Sequence, residues 1–353
     1  MSPVKRWKCP QIAEGLAALG ADGIVVTTLV NVRYLSGFTG SNGVLLVRAD
    51  GEATLITDGR YRDQAADEAP DVELVIVRDA VATAADRIDG IWACETHTLS
   101  VDAHAALTAG GATLVPGNRM VEDLRAVKDD DEIAYLERAC QISVDALEEL
   151  LTMRFEGRTE RELARDLEFR MFEHGAEAIA FETILASGPH AAIPHHRPTE
   201  RAIERGDLVK IDFGARVDGY HADCTRTVVV GAPADWQVEI HAAVQASQAA
   251  GVAALRAGEP IADADKIARA ILDDAGWLEY LTTGVGHGVG LEIHEDPYVG
   301  PRTAGKLAAG TTLTMEPGIY LPGRGGVRIE DTVLVGETPR VLTTMTTDLL
   351  EIA

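Results

Sequence analysis

The sequence predicts an α/β protein in two parts, a front domain over residues 1–126 and a larger domain over residues 127–353. Three observations lead there. The chain has 353 residues, more than one average domain holds. Residues from about 11 to 125 alternate between helix-like and strand-like stretches. Beyond them a helix–helix–strand plan occurs twice, each time with glycines 18 residues apart, at Gly157 and Gly175 and again at Gly258 and Gly276.

Each element follows from its residues. An Ala/Leu-rich helix is expected from Gln11 to Leu19, stopped by Gly20 as a C-cap. Gly23 to Thr28 is apolar and β-branched, hence a strand. Val44–Val47 and Ala53–Ile56 flank Asp50-Gly51, a hairpin turn signal, and Val72 to Val77 reads as another strand. After the charged break at 126–132, Ile133, Leu136, Cys140, Val144, Leu147 and Leu151 recur at helical spacing and define one apolar face. Thr159 with Glu162 forms a capping box for a second helix that ends before Gly175. A helix over about Trp236–Arg256 and another reaching Gly276 repeat the plan, so residues 127–353 read as two related halves, an arrangement that commonly places a site between them.

Composition narrows the function. Hydrophobic residues at 46% and charged residues at 25% suit a globular chain with a sizeable core. A net charge of -24 argues against nucleic acid, which needs a cationic footprint. Cys9, Cys94, Cys140 and Cys224 are scattered, as in a reduced intracellular protein. The chain has no apolar run of the roughly 18 residues that span a bilayer, and its basic start leads into no secretory-type apolar segment. A cytoplasmic protein without membrane contact is expected.

The densest chemical pattern is Ile211-Asp212-Phe-Gly-Ala-Arg-Val-Asp-Gly-Tyr-His-Ala-Asp223-Cys-Thr-Arg-Thr227, a β-hairpin turning near 217–219. A two-residue turn at 217–218 sets Asp212 directly opposite Asp223, and a turn shifted by one residue makes them diagonal neighbours. Both registers put them on one face. Two such carboxylates repel unless a cation lies between them or one is protonated; the competing reading is a solvated hairpin with two surface acids. Gly286-His287-Gly288-Val289-Gly290-Leu-Glu-Ile-His294-Glu295, Met315-Glu316-Pro317-Gly318 and Arg328-Ile329-Glu330-Asp331 follow. Glu316 and Glu330 stand in apolar, strand-like surroundings where an unpaired buried carboxylate is costly. By strand parity Arg328 shares a face with Glu330 and could orient a carboxylate. His294-Glu295 lacks a second histidine at Tyr298, so it is no HExxH zinc site. No dinucleotide fingerprint, P-loop or GxSxG elbow is present. Cys224 should point away from Asp223 into packing, and His190, His196 and His221 are expected to be exposed.

These segments together resemble the M24 metallopeptidases, which include aminopeptidase P, prolidase and methionine aminopeptidase. IDFG…DCTRT, GHGVGLEIHE, TMEPGIY and RIEDT each carry the family's pattern, and Pro194-His195 matches its substrate-binding histidine. Asn31-Val-Arg-Tyr-Leu-Ser-Gly-Phe-Thr-Gly-Ser-Asn-Gly43 and Thr57-Asp-Gly-Arg-Tyr61 resemble the front domain of the proline-specific branch. The resemblance implies a creatinase/prolidase-like α/β front domain and a pseudo-symmetric pita-bread catalytic domain. It implies two divalent ions, Mn²⁺ or else Co²⁺ or Zn²⁺, on Asp212, Asp223, His287, Glu316 and Glu330, with Glu316 as general base. His195, His294 and Arg328 would bind substrate, and the chain would pair as a homodimer. In place of a histidine common in relatives stands Thr283, and in place of the arginine with which archaeal-type prolidases meet a dipeptide's carboxylate stands Tyr298. The second change favours an Xaa-Pro aminopeptidase acting on longer peptides over an Xaa-Pro dipeptidase. A non-catalytic peptide-binding scaffold and a metal-free small-molecule enzyme are the remaining alternatives.

Overall fold

A computed structural model describes residue 6 and residues 9–353; most of the basic start, where no secretory segment was expected, lies outside the described residues. The chain divides into two units, Met1–Arg125 and Ala126–Ala353.

In the first unit α1 (Pro10–Leu19) ends where expected, because Gly20 takes φ 61 and closes the helix through its N–H. There follow β1 (Gly23–Val26), α2 (Leu29–Ser36), β2 (Val44–Arg48), β3 (Ala53–Thr57), α3 (Arg62–Glu68), β4 (Glu73–Ile76), α4 (Ala80–Ala85), β5 (Ile91–Cys94), α5 (Val101–Thr108), β6 (Thr113–Pro116) and α6 (Met120–Ala126). The strands make one mixed sheet in the order β4-β3-β2-β1-β5-β6. β2 and β3 are the antiparallel hairpin that Asp50-Gly51 predicts, and β1 pairs parallel to β5. β1 is buried on both faces, which is why it reads as a continuous apolar run. Gly23 is needed there, since a Cβ would stand 2.5 Å from the Trp92 ring.

The second unit opens with α7 (Asp130–Leu151) and α8 (Glu160–Glu173), both started by capping boxes, Asp129 with Glu132 and Thr159 with Glu162. On α7, Leu136, Cys140, Val144 and Leu147 of the predicted face are buried, while Ile133 and Leu151 at its ends are half-buried. Then come β7 (Ala178–Ile179), β8 (Ile184–Ser187), β9 (Leu208–Phe213), β10 (Ala215–Val217), β11 (Tyr220–His221) and β12 (Cys224–Val230). The plan restarts with α9 (Asp235–Ala254) and α10 (Ile261–Asp274), followed by β13 (Thr312–Met315), β14 (Gly318–Leu321), β15 (Gly325–Arg328), β16 (Asp331–Leu334), β17 (Arg340–Val341) and β18 (Glu351–Ile352). The four glycines that mark the repeat share one conformation, with φ 86 at Gly157, 98 at Gly175, 88 at Gly258 and 78 at Gly276. Each half packs its helix pair on its own strands, forming two apolar clusters, one around Leu147, Leu167 and Ile211 and one around Val244, Leu272 and Val333.

The halves are stitched by a bridge between Thr225, on β12, and Glu330, just before β16. Arg226 locks that seam. Its guanidinium donates to the carbonyl of Glu330 at 2.6 Å and pairs with Asp331 at 2.7 Å, and both side chains are 4% exposed. The Arg of DCTRT thus holds the Asp of RIEDT, and these two motif residues act as structure.

Candidate metal centre

The hairpin sets the first two acids. Arg216 pairs with His221 and Val217 with Tyr220, leaving Asp218-Gly219 as the two-residue turn, with φ 47 and 76. In this register Thr225, not Asp223, stands opposite Asp212. Of the two registers open from sequence, the shifted one is realised: the aspartates are diagonal neighbours on one face. Gly214 permits the crossing, because a Cβ there would lie 1.8 Å from the Ala222 carbonyl oxygen.

The third ligand candidate arrives by backbone pairing. The segment 285–289 runs along β13: Thr314 N–H donates to the His287 carbonyl at 2.8 Å, and Glu316 N–H donates to that of Val285 at 2.8 Å. Gly286 allows this approach, since a Cβ would stand 2.2 Å from the Thr314 oxygen. His287 Nε2 is thereby held 3.3 Å from Glu316 Oε1 and 3.6 Å from Asp223 Oδ2. Its Nδ1 donates to the Gly288 carbonyl at 3.0 Å, which fixes the ring and aims Nε2 at the acids. Glu330 accepts from the Thr225 hydroxyl at 2.6 Å. Asp212, Asp223, His287, Glu316 and Glu330 therefore converge on the floor of one cleft of about 930 Å³. Asp223, His287 and Glu330 offer ligand atoms all within 4.8 Å of one another.

The cluster is charged in a way that calls for cations. Burial, and then the neighbouring carboxylates, push Asp223 and Glu330 well above the ordinary carboxyl range. Burial also works against an ionised Glu316, yet the hydrogen bond and charge of His287 pull it below its usual value. Burial opposes the charged form of His287 too, and Glu316 more than compensates. Asp212 Oδ2 accepts from Arg328, while its buried Oδ1 has no hydrogen-bond partner. An orphaned carboxylate oxygen beside three more carboxylates and an imidazole nitrogen aimed at them is a donor set suited to hard or borderline divalent ions.

Above this floor stand His294, whose ring meets that of His287 edge-on at 4.4 Å between centroids, and His195, exposed on the cleft wall. Burial and the His287 charge push the His294 imidazole down. Arg328 lines the cleft but its nitrogens are engaged, with Asp212, with Thr225 Oγ1 at 3.0 Å, with Tyr320 Oη at 2.9 Å and with the Pro194 carbonyl at 3.3 Å. Those bonds tie it to Asp212 and to the cleft wall. Thr283 and Tyr298 both line the cleft.

Several supports were missed from sequence. His196 and His190 were expected to be exposed, yet His196 is 8% exposed and His190 half-buried. Both are held at 2.9 Å by the fully buried Glu160, which also accepts from the N–H and hydroxyl of Ser187 and of Thr199. Each carboxylate oxygen takes three donors, so this His/His/Glu group is satisfied as a hydrogen-bond clamp on the segment carrying His195. Lys210 secures the same segment, donating to the carbonyls of Ile193 at 2.6 Å and Pro194 at 3.0 Å; burial and then the Arg328 charge push it down to about 6. His221 is likewise buried, not on the surface, with Nδ1 at 2.9 Å from the Gly290 carbonyl. A lysine inside the apolar run Leu208–Phe213 was a visible signal; Glu160, one residue past a helix cap, gave none. Cys224 is buried in the core.

Comparison with known proteins agrees with this geometry. Residues 134–337 match the model of metallopeptidase family M24, and residues 9–127 match the creatinase/prolidase N-terminal domain. An Xaa-Pro dipeptidase of Pyrococcus furiosus is 37% identical, covering 90% of this chain and 91% of its own. The solved Xaa-Pro dipeptidase from Bacillus anthracis superposes with a TM-score of 0.92 at 38% identity, over 97% of this chain and 98% of that one. The X-Pro aminopeptidase from Thermotoga maritima gives 0.88 at 33% identity, over 97% and 99%. No helix among the described residues is long and apolar enough to cross a membrane.

Proposed function

The chain belongs to metallopeptidase family M24, and from that premise we propose that it is an Xaa-Pro dipeptidase, with residues 1–126 as the front domain and residues 127–353 as the catalytic domain. The observation that carries the reading is the convergence of Asp212, Asp223, His287, Glu316 and Glu330 on the floor of one cleft, with Asp212 Oδ1 left without a protein partner. These five are the proposed ligands of two divalent ions, Mn²⁺ first among them. Bound there, the ions would polarise the scissile carbonyl and activate water.

The side chains around the floor have separate tasks. Glu316, kept ionised by His287, takes the proton from the attacking water and passes it to the leaving proline nitrogen. His294 and His195 donate to the substrate and to the oxygen that gains charge at the reacting carbon; losing such a donor costs about 3–4 kcal/mol of transition-state stabilisation. Arg328 fixes Asp212 and, through Thr225, Glu330. The partners are small proline-containing peptides, in the cytoplasm, and the chain acts as a homodimer.

Tyr298 tilted the sequence reading towards an aminopeptidase on longer peptides. The relatives named Xaa-Pro dipeptidase or prolidase favour the dipeptidase instead, and the X-Pro aminopeptidase among the neighbours keeps the other as second reading. Hydrolysis of an Xaa-Pro dipeptide beside an Xaa-Pro tripeptide by Mn²⁺-loaded protein tests the choice. Cleavage of the dipeptide alone is expected. Cleavage of the tripeptide in preference supports the aminopeptidase, and inertness on both points to a binding scaffold.

A further inference from the structure

We infer that Arg165 and Thr183 form the subsite for the free terminal carboxylate of the substrate, so that the cleft reads the end of a dipeptide from α8 rather than from position 298. This rests on the dipeptidase reading above. A dipeptide carries its carboxylate one residue beyond the scissile bond, and this protein has a net charge of -24 with four acids on the cleft floor. A carboxylate seated there needs a cation of its own. Tyr298, on the cleft rim and 51% exposed, can offer a phenol but no charge.

The arginines lining the cleft are Arg161, Arg165, Arg197 and Arg328, and three of them are committed. Arg328 is buried and bound to Asp212. Arg161 pairs with Glu200, and Arg197 pairs with Glu182 at 3.3 Å. Arg165 is exposed and makes no hydrogen bond or ion pair with the described residues. It is aimed by helix geometry: Arg161, Ala164, Arg165 and Glu168 are spaced three and four apart on α8 and all line the cleft. The small Ala164 leaves room beside it.

Thr183 supplies an independent sign that a ligand belongs here. It is 4% exposed, lines the same cleft, and its buried hydroxyl has no hydrogen-bond partner. Leaving such a group unsatisfied is costly unless something else fills the role. It enters β8, against which α8 packs, so the orphaned hydroxyl and the unpaired guanidinium belong to adjoining elements. A guanidinium fork with one hydroxyl beside it matches the geometry of a carboxylate.

The test compares an Xaa-Pro dipeptide with the same peptide ended in an amide, using Mn²⁺-loaded wild type, Arg165→Met, Arg165→Lys and Thr183→Val. Wild type should prefer the acid. In Arg165→Met the acid-to-amide ratio of kcat/KM should fall about tenfold or more, through KM for the acid; Arg165→Lys should recover part of it, and Thr183→Val should lose a smaller factor. A wild type that prefers the acid beside an Arg165→Met with the same preference overturns the inference and leaves the dipeptidase reading standing. A wild type indifferent to the cap overturns both. Arg165 is exposed, so its replacement tests recognition rather than folding.

Discussion

Lys128 and Glu295 are paired at 2.6 Å with side chains 1% and 5% exposed, and Glu295 directly follows His294. Replacing Lys128 by Met takes the ammonium away from a buried carboxylate, a change that costs about 3–5 kcal/mol. The second unit runs from Ala126 to Ala353, and at about 2.1 cal/mol/K of unfolding entropy per residue its total is about 0.5 kcal/mol/K. The expected loss in Tm is therefore about 6–10 °C. Lys128→Met with Glu295→Gln removes both charges and should recover most of that loss, because the cost lies in the buried negative charge rather than in the missing attraction. Thermal unfolding of wild type, both single variants and the double variant, followed by circular dichroism at pH 7, gives all four corners of the cycle. A Lys128→Met shift below about 2 °C, or a double variant no more stable than Lys128→Met, would refute the reasoning. In the double variant kcat should stay low even where Tm recovers, since the anchor of the turn bearing His294 is still gone.

Two further outcomes follow from single positions. Burial pushes His241 down to about 4, so the unfolded chain binds its proton at higher pH than the folded one. Its contribution is whole above about pH 6.5 and is lost as pH falls towards 4, at most about 3 kcal/mol over that window. Denaturant unfolding across pH 4–8 should show a slope in this window that His241→Phe flattens; an unchanged slope contradicts the assignment. Gly214→Ala places a Cβ where the Ala222 oxygen stands at 1.8 Å, which should cost about 3 kcal/mol and weaken metal binding, as Asp212 and Asp223 flank that crossing. Wild-type unfolding and metal titration curves for this variant would contradict it.

The sequence carried the elements far better than the contacts between them. Local rules placed Gly20, the Thr159–Glu162 capping box and the apolar face of α7, because each depends on residues within a turn or two of one another. The hairpin register stayed open until the structure, since a turn at 217–218 and one at 218–219 differ by a single step and both satisfy the same alternation. The acids were visible as charges inside apolar runs. What sequence could not show was long-range: Arg226 clasping Asp331, Glu160 gathering two histidines read as exposed, and Thr225 serving as the post between Arg328 and Glu330. The Glu160 clamp closes within the first half, and the other two roles arise only when the two halves meet at the Thr225–Glu330 bridge.

That meeting point is where the account is most exposed to experiment. Metal-stripped protein titrated with Mn²⁺ by calorimetry, with bound metal counted by mass spectrometry, should take up two ions per chain, and Glu330→Gln should lose at least one while the metal-free variant unfolds no earlier than wild type. Folded wild type that binds no Mn²⁺, Co²⁺ or Zn²⁺, or Glu330→Gln with unaltered uptake, would contradict a cation pair held by these five side chains.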